Sequence, residues 1–276
     1  MESVRKTLQS TVTLNNGVSM PVFGLGVYES GQDTVSAVQS ALECGYRLID
    51  TASFYENERE VGEAVRTVGI PRSEIFVTTK IWNDAQREGR QRAVFEESLR
   101  ALGMEYVDLY LVHWPVPEKI HETWRVLEQL YEEKLVRAIG VSNFLPHHLE
   151  KLSVKGNIAP TVDQFECNPY LTRKELRQYC KEHNIIPEAW SPLGRGAALE
   201  EPVLKELSEK YNKSVAQIIL RYDVQNEIVT IPKSVKKERI HENADVFDFE
   251  LLLEDIERID SLNRNLMHGD PDHVDF

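Results

Sequence analysis

Short apolar runs alternate with longer amphipathic stretches along most of the chain. The runs have the length of buried strands and cover residues 22–26, 47–50, 75–80, 107–113, 138–143, 161–166, 185–190 and 228–233. Between them, apolar residues recur at helical spacing and predict helices over residues 34–43, 58–68, 93–102, 123–133, 174–183, 203–211, 215–225, 233–243 and 253–262. Strands that alternate with helices in this way predict a parallel sheet with helical crossovers.

The number of strand–helix units predicts how the sheet closes. Eight units in about 250 residues fit a (β/α)8 TIM barrel, which is an α/β fold. The rival is an open doubly wound sheet, which carries a glycine fingerprint after its first strand. Gly24 and Gly26 provide only the beginning of that fingerprint, because Glu29 stands where the third glycine belongs. No internal linker is visible, so we expect one barrel domain over residues 1–276.

A turn signal precedes the first barrel strand. Asn16 and Gly17 separate two short apolar runs, and this pair favours a tight hairpin in which both central residues have positive φ. We therefore expect an N-terminal β-hairpin as an accessory to the barrel. The stretch 253–262 predicts an accessory helix near the other end of the chain.

Composition narrows the class of partner and the compartment. The chain has 276 residues with 45 acids and 32 bases, and its formal net charge of -13 argues against nucleic acid or an anionic membrane as a partner. Three cysteines without a C-x-x-C pair predict reduced thiols in a cytoplasmic protein. No apolar run has the length of a membrane span, and the first ten residues predict no secretory signal.

Polar side chains end several of the predicted strands, and active sites of such barrels form at the carboxyl ends of the strands. Asp50 and Lys80 end neighbouring strands and can pair. A buried, paired lysine is costly, which favours an electrostatic role. Tyr55 follows Asp50 closely, and a cation beside a phenol makes it a better acid. A neutral His113 could donate a hydrogen bond to a substrate oxygen.

Each of these residues also has an ordinary structural explanation. Asp50 could cap a turn, Lys80 could be solvated, His113 could be a core histidine and Tyr55 could be a packing aromatic. Taken singly, the ordinary explanation is the better one for each. Taken together, the four favour an active site, because their strands meet at one end of the barrel.

Seven segments resemble, in chain order, the signatures of the aldo-keto reductase family: LIDTASFYENE, VTTKIWN, DLYLVHWP, AIGVSNF, VDQFE, EAWSPLG and IPKSVKKERIHEN. The resemblance extends from about Val12 to Phe276. It is strongest with the microbial and protozoan branch that includes glyoxal reductases, diketogluconate reductases and prostaglandin F synthases. It implies a monomer that reduces small aldehydes and ketones with NADPH and without a metal.

The resemblance also implies the roles of the catalytic residues. They form a tetrad of Asp50, Tyr55, Lys80 and His113. Tyr55 would protonate the carbonyl oxygen while hydride passes from the nicotinamide to the carbonyl carbon. Lys80, paired with Asp50, would assist the phenol, and His113 would orient the carbonyl.

The cofactor contacts are likewise implied by the resemblance. Ser142, Asn143 and Gln164 match residues that hold the nicotinamide carboxamide, and Trp190 matches the aromatic that stacks on the nicotinamide ring. The remaining implied cofactor residues are Gly26, Val27, Tyr28 and Asp50, then Ser191, Leu193 and Gly194 for the pyrophosphate, and Lys233, Ser234, Val235, Arg239, Glu242 and Asn243 for the 2′-phosphate and adenine. A phosphate dianion favours such a local cluster of cations and hydroxyls.

Aromatic residues that follow strand ends are expected to wall the substrate pocket, whereas Trp124 lies in a helical pattern and is expected in the core. The expected pocket residues are Tyr28, Phe54, Tyr55, Trp82, His113 and Trp114. The chain departs from the family pattern at Tyr28, Asp163, Asn168 and the stretch 86–92. The short tail after Leu262 suggests an open, permissive site.

Three other functions stay open on the sequence alone. Lys80 could form a Schiff base in an aldolase, although a paired, charged lysine is a poor nucleophile. The barrel could be a cofactor-binding regulatory or structural protein with little turnover. A metallohydrolase would need clustered ligands, and His147 and His148 have no acidic or histidine partner at ligand spacing.

Overall fold

The computed structural model describes residues 6–274. Its strands are β1 (Thr11–Thr13), β2 (Ser19–Pro21), β3 (Leu25–Gly26), β4 (Leu48–Asp50), β5 (Phe76–Ile81), β6 (Val107–Val112), β7 (Val136–Ser142), β8 (Val162–Glu166), β9 (Ile186–Trp190) and β10 (Val229–Thr230). Its α-helices are α1 (Thr34–Cys44), α2 (Glu58–Thr67), α3 (Asn83–Arg87), α4 (Gln91–Leu102), α5 (Ile120–Glu132), α6 (Pro146–Ser153), α7 (Lys174–Glu182), α8 (Pro202–Tyr211), α9 (Val215–Gln225), α10 (Lys237–Ala244) and α11 (Leu253–Asp260).

Strands β3 to β10 form one parallel sheet in which each strand pairs with its neighbour along the chain. The sheet closes on itself, because Phe23 pairs with Thr230 and Gly26 pairs with Lys233. The backbone N–H of Thr230 also donates to the carbonyl of Val22 at 3.2 Å. The predicted (β/α)8 barrel is therefore confirmed, and each strand lies within its predicted run or extends it by at most two residues.

One helix was not predicted, one was expected without bounds, and one begins later than expected. Helix α3 is too short to show a helical period, and α6 begins at Pro146, where the sequence predicts a step from loop to helix at His147 and His148. The last barrel helix was predicted within residues 233–243, but α10 begins only at Lys237. The Ser234 hydroxyl accepts from the backbone N–H of Lys236 at 3.1 Å, and this local turn keeps the first residues out of the helix.

The predicted hairpin is present, but its turn differs from the expectation. Strands β1 and β2 pair antiparallel, and the N–H of Gly17 donates to the carbonyl of Leu14 at 2.9 Å. Gly17 has φ +85°, whereas Asn16 does not have positive φ, so the expectation of two such residues was wrong. The loop spans residues 15–17, and a three-residue hairpin loop needs only one left-handed residue.

The hairpin closes the amino-terminal end of the barrel. Leu14 and Met20 join an apolar cluster inside the barrel that includes Leu48, Phe76, Leu109, Leu111, Ala138, Val162, Val229 and Ile231. Side-chain amides of the hairpin loop bond to carbonyls that precede the strands, such as Asn15 to Pro160 at 2.9 Å. A larger cluster lies between the strands and the helices and contains Trp124, as predicted. No helix in residues 6–274 is long and apolar enough to cross a membrane.

Candidate active site

The predicted catalytic and carboxamide-binding residues lie at the carboxyl ends of the strands, around one mouth. Asp50 ends β4 and Lys80 lies next to the end of β5, while His113 directly follows β6. Ser142 ends β7 and Trp190 ends β9. Because the strands are parallel, these ends meet at the same side of the barrel, as predicted.

Lys80 is the centre of the polar cluster. Its buried Nζ lies 2.5 Å from Asp50 Oδ1, and it donates to the carbonyl of Thr51 at 2.9 Å and to Tyr55 Oη at 3.2 Å. Burial acts to lower the pKa of Lys80, but the Asp50 carboxylate and Tyr55 outweigh it and hold that pKa above its ordinary value. A lysine with a raised pKa stays charged and is a poor nucleophile, which speaks against the aldolase hypothesis.

Tyr55 is held by a short 3-10 helix, Ser53–Tyr55, and by the loop that follows it. Asn57 fixes that loop, since it accepts from the Thr51 hydroxyl at 2.7 Å and donates to the carbonyl of Val27 at 2.8 Å. Burial raises the pKa of Tyr55, although the charge of Lys80 acts to lower it. The expectation that Lys80 makes this phenol a stronger acid is therefore right in direction, but burial outweighs it in this structure.

His113 is buried beside the tyrosine, with ring centroids 5.7 Å apart. Burial, followed by the charge of Lys80, holds the pKa of His113 well below its ordinary value. The ring is therefore neutral near pH 7, as the hydrogen-bonding role requires. Its Nδ1 has no partner among the described residues. Asn143 fixes the backbone here by donating to the His113 carbonyl at 3.0 Å.

The four residues predicted to hold a nicotinamide form one hydrogen-bonded chain. Ser142 donates to the carbonyl of Gln164 at 2.7 Å, and Asn143 donates to the Ser142 hydroxyl at 3.0 Å. The Trp190 indole donates to Asn143 Oδ1 at 2.8 Å. Asn143 has φ +62°, the left-handed conformation that asparagine tolerates better than most residues. The chain reaches the catalytic cluster because Gln164 Nε2 donates to Asp50 Oδ2 at 2.7 Å.

Aromatic side chains surround the mouth, as predicted. Phe54 stacks on Trp82 with ring centroids 3.8 Å apart, and Tyr28 lies 4.9 Å from the Tyr55 ring. Tyr28 is 41% exposed and Phe54 is 43% exposed. Large apolar rings with this exposure at a barrel mouth are typical of a ligand-binding surface.

The C-terminal segment crosses the mouth and covers Trp114. A Cβ at Gly269 would lie 2.6 Å from the Trp114 ring, so only glycine permits this approach. The segment is held by His268, whose N–H donates to Glu166 Oε2 at 2.9 Å and whose ring also contacts Glu166. Arg264 stacks over the Tyr170 ring at 4.3 Å. The segment is therefore attached over one side of the site, and Tyr28 and Phe54 stay exposed.

The predicted phosphate pocket lies at the end of β10 and the start of α10. Lys233 and Arg239 are exposed, and neither has an ion-pair partner within residues 6–274. The α10 helix is anchored by the Tyr46 hydroxyl, which donates to the carbonyl of Ile240 at 2.8 Å. Two exposed cations at the end of β10 and the start of α10 fit an anionic ligand, on a chain whose formal net charge is -13.

The remaining predicted cofactor residues differ in their exposure to solvent. Ser234, Gly194 and Asn243 are buried, Val235, Leu193 and Ser191 are half-buried, and Glu242 is exposed. Gly26 pairs with Lys233 across the closing strands. Val27 is fully buried in the outer core, and its N–H donates to the carbonyl of Asp50 at 3.1 Å, so the structure gives it a packing role.

Two of the departures from the family pattern are buried polar residues. Asp163 accepts from the backbone N–H of Phe144 at 3.4 Å, and burial raises the pKa of its carboxyl group well above the ordinary value. Asn168 accepts from the backbone N–H of Tyr170 at 2.9 Å and stabilises a turn. Both residues support loops behind the mouth and do not contact the catalytic cluster.

Sequence reasoning missed two features of the site. Glu188 is fully buried beside Gln164. Its position in β9, two residues before Trp190 and on the same face of the strand, is the sequence feature that could have identified it. The second missed feature is an acidic partner for His147 and His148, because the spacing of residues in the sequence predicts none. His147 Nε2 lies 2.7 Å from Asp272 Oδ1, and the C-terminal segment brings in this carboxylate from far along the chain.

The histidine pair and Asp272 have the composition of a metal site. The ligand atoms of His147, His148 and Asp272 lie within 4.8 Å of one another. However, the N–H of Leu145 donates to His148 Nδ1 at 3.2 Å, so the ring hydrogen of His148 is on Nε2, which lies 3.4 Å from Asp272 Oδ1. His148 in this tautomer has no free ring nitrogen for a metal ion, and the hydrogen bond between His147 and Asp272 attaches the tail.

Comparisons with known proteins identify the family to which the chain belongs. The family model described as the aldo/keto reductase family matches residues 22–264. A glyoxal reductase from Bacillus subtilis is 52% identical over 98% of this chain and 99% of its own. A 9,11-endoperoxide prostaglandin H2 reductase from Trypanosoma cruzi is 52% identical over 95% of each chain. The structure of a Bombyx mori aldo-keto reductase in complex with NADP is similar, with a TM-score of 0.87, 35% identity and 95% of each chain covered.

Proposed function

The chain belongs to the aldo/keto reductase family, and from this membership we propose which four side chains perform its reaction: Asp50, Tyr55, Lys80 and His113. The chain is an oxidoreductase that reduces aldehydes and ketones to alcohols with NADPH. The assignment of the four residues rests on the position of Lys80 Nζ, which lies 2.5 Å from Asp50 and 3.2 Å from the Tyr55 hydroxyl.

The residues around the mouth fit NADPH. Lys233 and Arg239 are cations without a described ion-pair partner and suit the 2′-phosphate. Gln164 Nε2 is already bonded to carboxyl groups, which leaves Oε1 as an acceptor for the carboxamide N–H. Trp190 is half-buried beside them and suits stacking on the nicotinamide. When bound, NADPH supplies the hydride that adds to the carbonyl carbon.

Tyr55 donates the proton that completes the reduction. Burial holds the pKa of Tyr55 above its ordinary value, so the phenol keeps its proton at neutral pH until the carbonyl oxygen gains negative charge. The phenolate that remains is stabilised by the charge of Lys80. Asp50 in turn keeps Lys80 charged and oriented, although both groups are buried.

His113 and the aromatic rings orient the substrate. A neutral His113 can donate one hydrogen bond to the carbonyl oxygen without competing with Tyr55 for the proton. Phe54 and Trp82 provide a stacked apolar wall, and Tyr28 provides a second, more exposed one. We propose small carbonyl compounds as substrates: dicarbonyls such as methylglyoxal, aromatic aldehydes and quinones. Endoperoxides like prostaglandin H2 are a second proposed class, in which an O–O bond rather than a carbonyl group would be reduced.

The test follows NADPH absorbance with a carbonyl panel, and the same panel with NADH. The panel contains methylglyoxal, a nitrobenzaldehyde, phenanthrenequinone and a diketo sugar acid. We expect turnover that prefers NADPH and is abolished in Tyr55→Phe, which removes only the phenolic O–H. If Tyr55→Phe retained most of the rate, the residue assignment would be wrong. A folded protein that binds cofactor without turnover would favour a regulatory or structural role.

We further propose that the chain acts as a monomeric, single-domain enzyme over residues 1–276 in the cytoplasm. The barrel strands form one closed sheet in the described part of the chain, and the excess of negative charge opposes self-association. Light scattering coupled to size-exclusion chromatography tests the oligomeric state, and we expect a mass near 31.8 kDa.

A further inference from the structure

Gln164 lies between two buried carboxyl groups. Its Nε2 donates to Asp50 Oδ2 at 2.7 Å and to Glu188 Oε2 at 3.0 Å. Gln164 and Glu188 are register partners on β8 and β9, and Glu188 is fully buried. An amide nitrogen has two hydrogens and an amide oxygen has none, so the single Nε2 can serve both carboxyl groups, and the Asp50 carboxylate requires that end of the amide.

We propose that Glu188 is a positioning residue, which fixes the amide of Gln164 so that its oxygen is presented to the nicotinamide carboxamide. The inference rests on the proposed function, since it takes Gln164 as a cofactor contact. Among residues 6–274, no donor contacts Gln164 Oε1, which therefore stays available as an acceptor.

Asp50 alone holds the amide less firmly. Its Oδ1 is engaged by Lys80, and only its Oδ2 faces Gln164. If Asp50 were the only carboxyl group beside Gln164, one hydrogen of the amide would lie unpaired in a buried site. A flip of the amide would then break one hydrogen bond instead of two. Glu188 takes up that second hydrogen, so a flip would break two hydrogen bonds and would turn the amide oxygen towards the Asp50 carboxylate, which has no hydrogen to donate.

The protonation of Glu188 makes this arrangement compatible with the neighbouring ion pair. Burial, and next the charge of Asp50, raise the pKa of Glu188 to about 8, so its carboxyl group is neutral near pH 7. The charged groups that act on it are Asp50 from β4 and Lys80 from β5. Glu188 Oε1 has no partner among the described residues. A neutral acceptor orients the amide without a second negative charge beside Asp50 and Lys80.

The test compares two substitutions by the Kd for NADP+, measured from the quenching of tryptophan fluorescence in the absence of substrate. Glu188→Gln keeps a neutral side chain of the same shape with an acceptor oxygen, and we expect wild-type affinity at pH 7. Glu188→Leu removes the acceptor, and we expect the Kd to rise about tenfold, as the loss of one buried hydrogen bond implies. With saturating NADPH, kcat should fall less than the affinity does.

A double-mutant cycle separates positioning from general structural damage. If Glu188 acts through Gln164, Glu188→Leu has no further effect on the Kd in a Gln164→Leu background. The proposal is overturned if Glu188→Leu binds NADP+ as the wild type does, if Glu188→Gln is as impaired as Glu188→Leu, or if the two leucine effects add. Activity retained in Tyr55→Phe would instead overturn the catalytic assignment and leave these binding results unaffected.

Discussion

The two ends of the barrel are filled in opposite ways by the same strands. At the amino-terminal end, Leu14 and Met20 of the hairpin pack against aliphatic side chains such as Leu48. At the carboxyl end, the interior holds an ion pair, an amide and a neutral acid within hydrogen-bond distance of one another. One end is an apolar core that is closed by the chain itself, and the other is a polar cluster that is open to a ligand.

The step between the two ends is only two residues along a strand. In β4 it leads from Leu48 to Asp50, and in β8 it leads from Val162 to Gln164. Residues two apart point to the same face of a strand, so each pair lines the interior at successive heights. The lower layer contributes stability and the upper layer contributes chemistry, which makes the two functions separable by substitution.

The largest expected effect is on chemistry at the polar end. Lys80→Met keeps the length of the side chain and removes the charge that stabilises the Tyr55 phenolate, so we expect kcat to fall about 10²–10³-fold or more. Steady-state kinetics with saturating NADPH provide the measurement. A rate within tenfold of the wild type would show that the charge is not needed, and the comparison of the two ends would fail.

The next effect is on stability at the apolar end. Leu109→Ala leaves a cavity in the inner cluster, so we expect a loss of about 2–5 kcal/mol in the free energy of unfolding. Urea denaturation measures it, with the exposed Val154→Ala as the matched control, which should change stability by less than about 0.5 kcal/mol. The KM values of the folded Leu109→Ala protein should stay unchanged, and a raised KM would show that the two ends are coupled.

A smaller effect concerns a buried acid outside both ends. Burial raises the pKa of Asp223 to about 7, and its carboxylate accepts from the Thr230 hydroxyl at 2.8 Å. The pKa of Asp223 is higher in the folded protein than in the unfolded chain. Its contribution to the free energy of unfolding is therefore complete below about pH 4 and is lost as the pH rises through 7, by up to about 1.4 kcal/mol per pH unit. Asp223→Asn should flatten this dependence when unfolding is measured at pH 5 and pH 8. An unchanged slope would contradict the assignment.

The smallest effect belongs to the exposed rim of the mouth. Tyr28→Trp enlarges a side chain that is 41% exposed, so stability should change by less than about 0.5 kcal/mol. The added ring surface beside Tyr55 should lower the KM for aromatic aldehydes a few-fold and leave that for methylglyoxal nearly unchanged. Equal changes for both substrates would show that this ring does not contact the substrate.

Sequence reasoning was most successful where a feature is local to one strand. Apolar runs predicted the strands, and the polar residues that end them, such as Asp50 and Lys80, predicted the mouth. It failed where a partner comes from elsewhere in the chain. The contact between Asp272 and His147 depends on the path of the tail, and no spacing in the sequence encodes that path.

Glu188 shows a different kind of failure. Its strand was predicted correctly, and period-two alternation puts it on the interior face with Trp190. What the sequence could not provide is that the carboxyl group meets the amide of Gln164 across the sheet, since register between strands is a tertiary property. The turn of the hairpin was mistaken for a related reason, because loop length decides which residues need positive φ.

The pairing of Phe23 with Thr230 has a consequence for how the chain folds. The first barrel strand cannot complete its ladder until the last one has been synthesised, and contacts between such distant residues slow folding. Until then the first strand and the most recently synthesised strand each present an unpaired edge, and such edges are sites where chains associate with each other. The nascent protein is therefore most prone to aggregation after most of its strands exist and just before the ring closes.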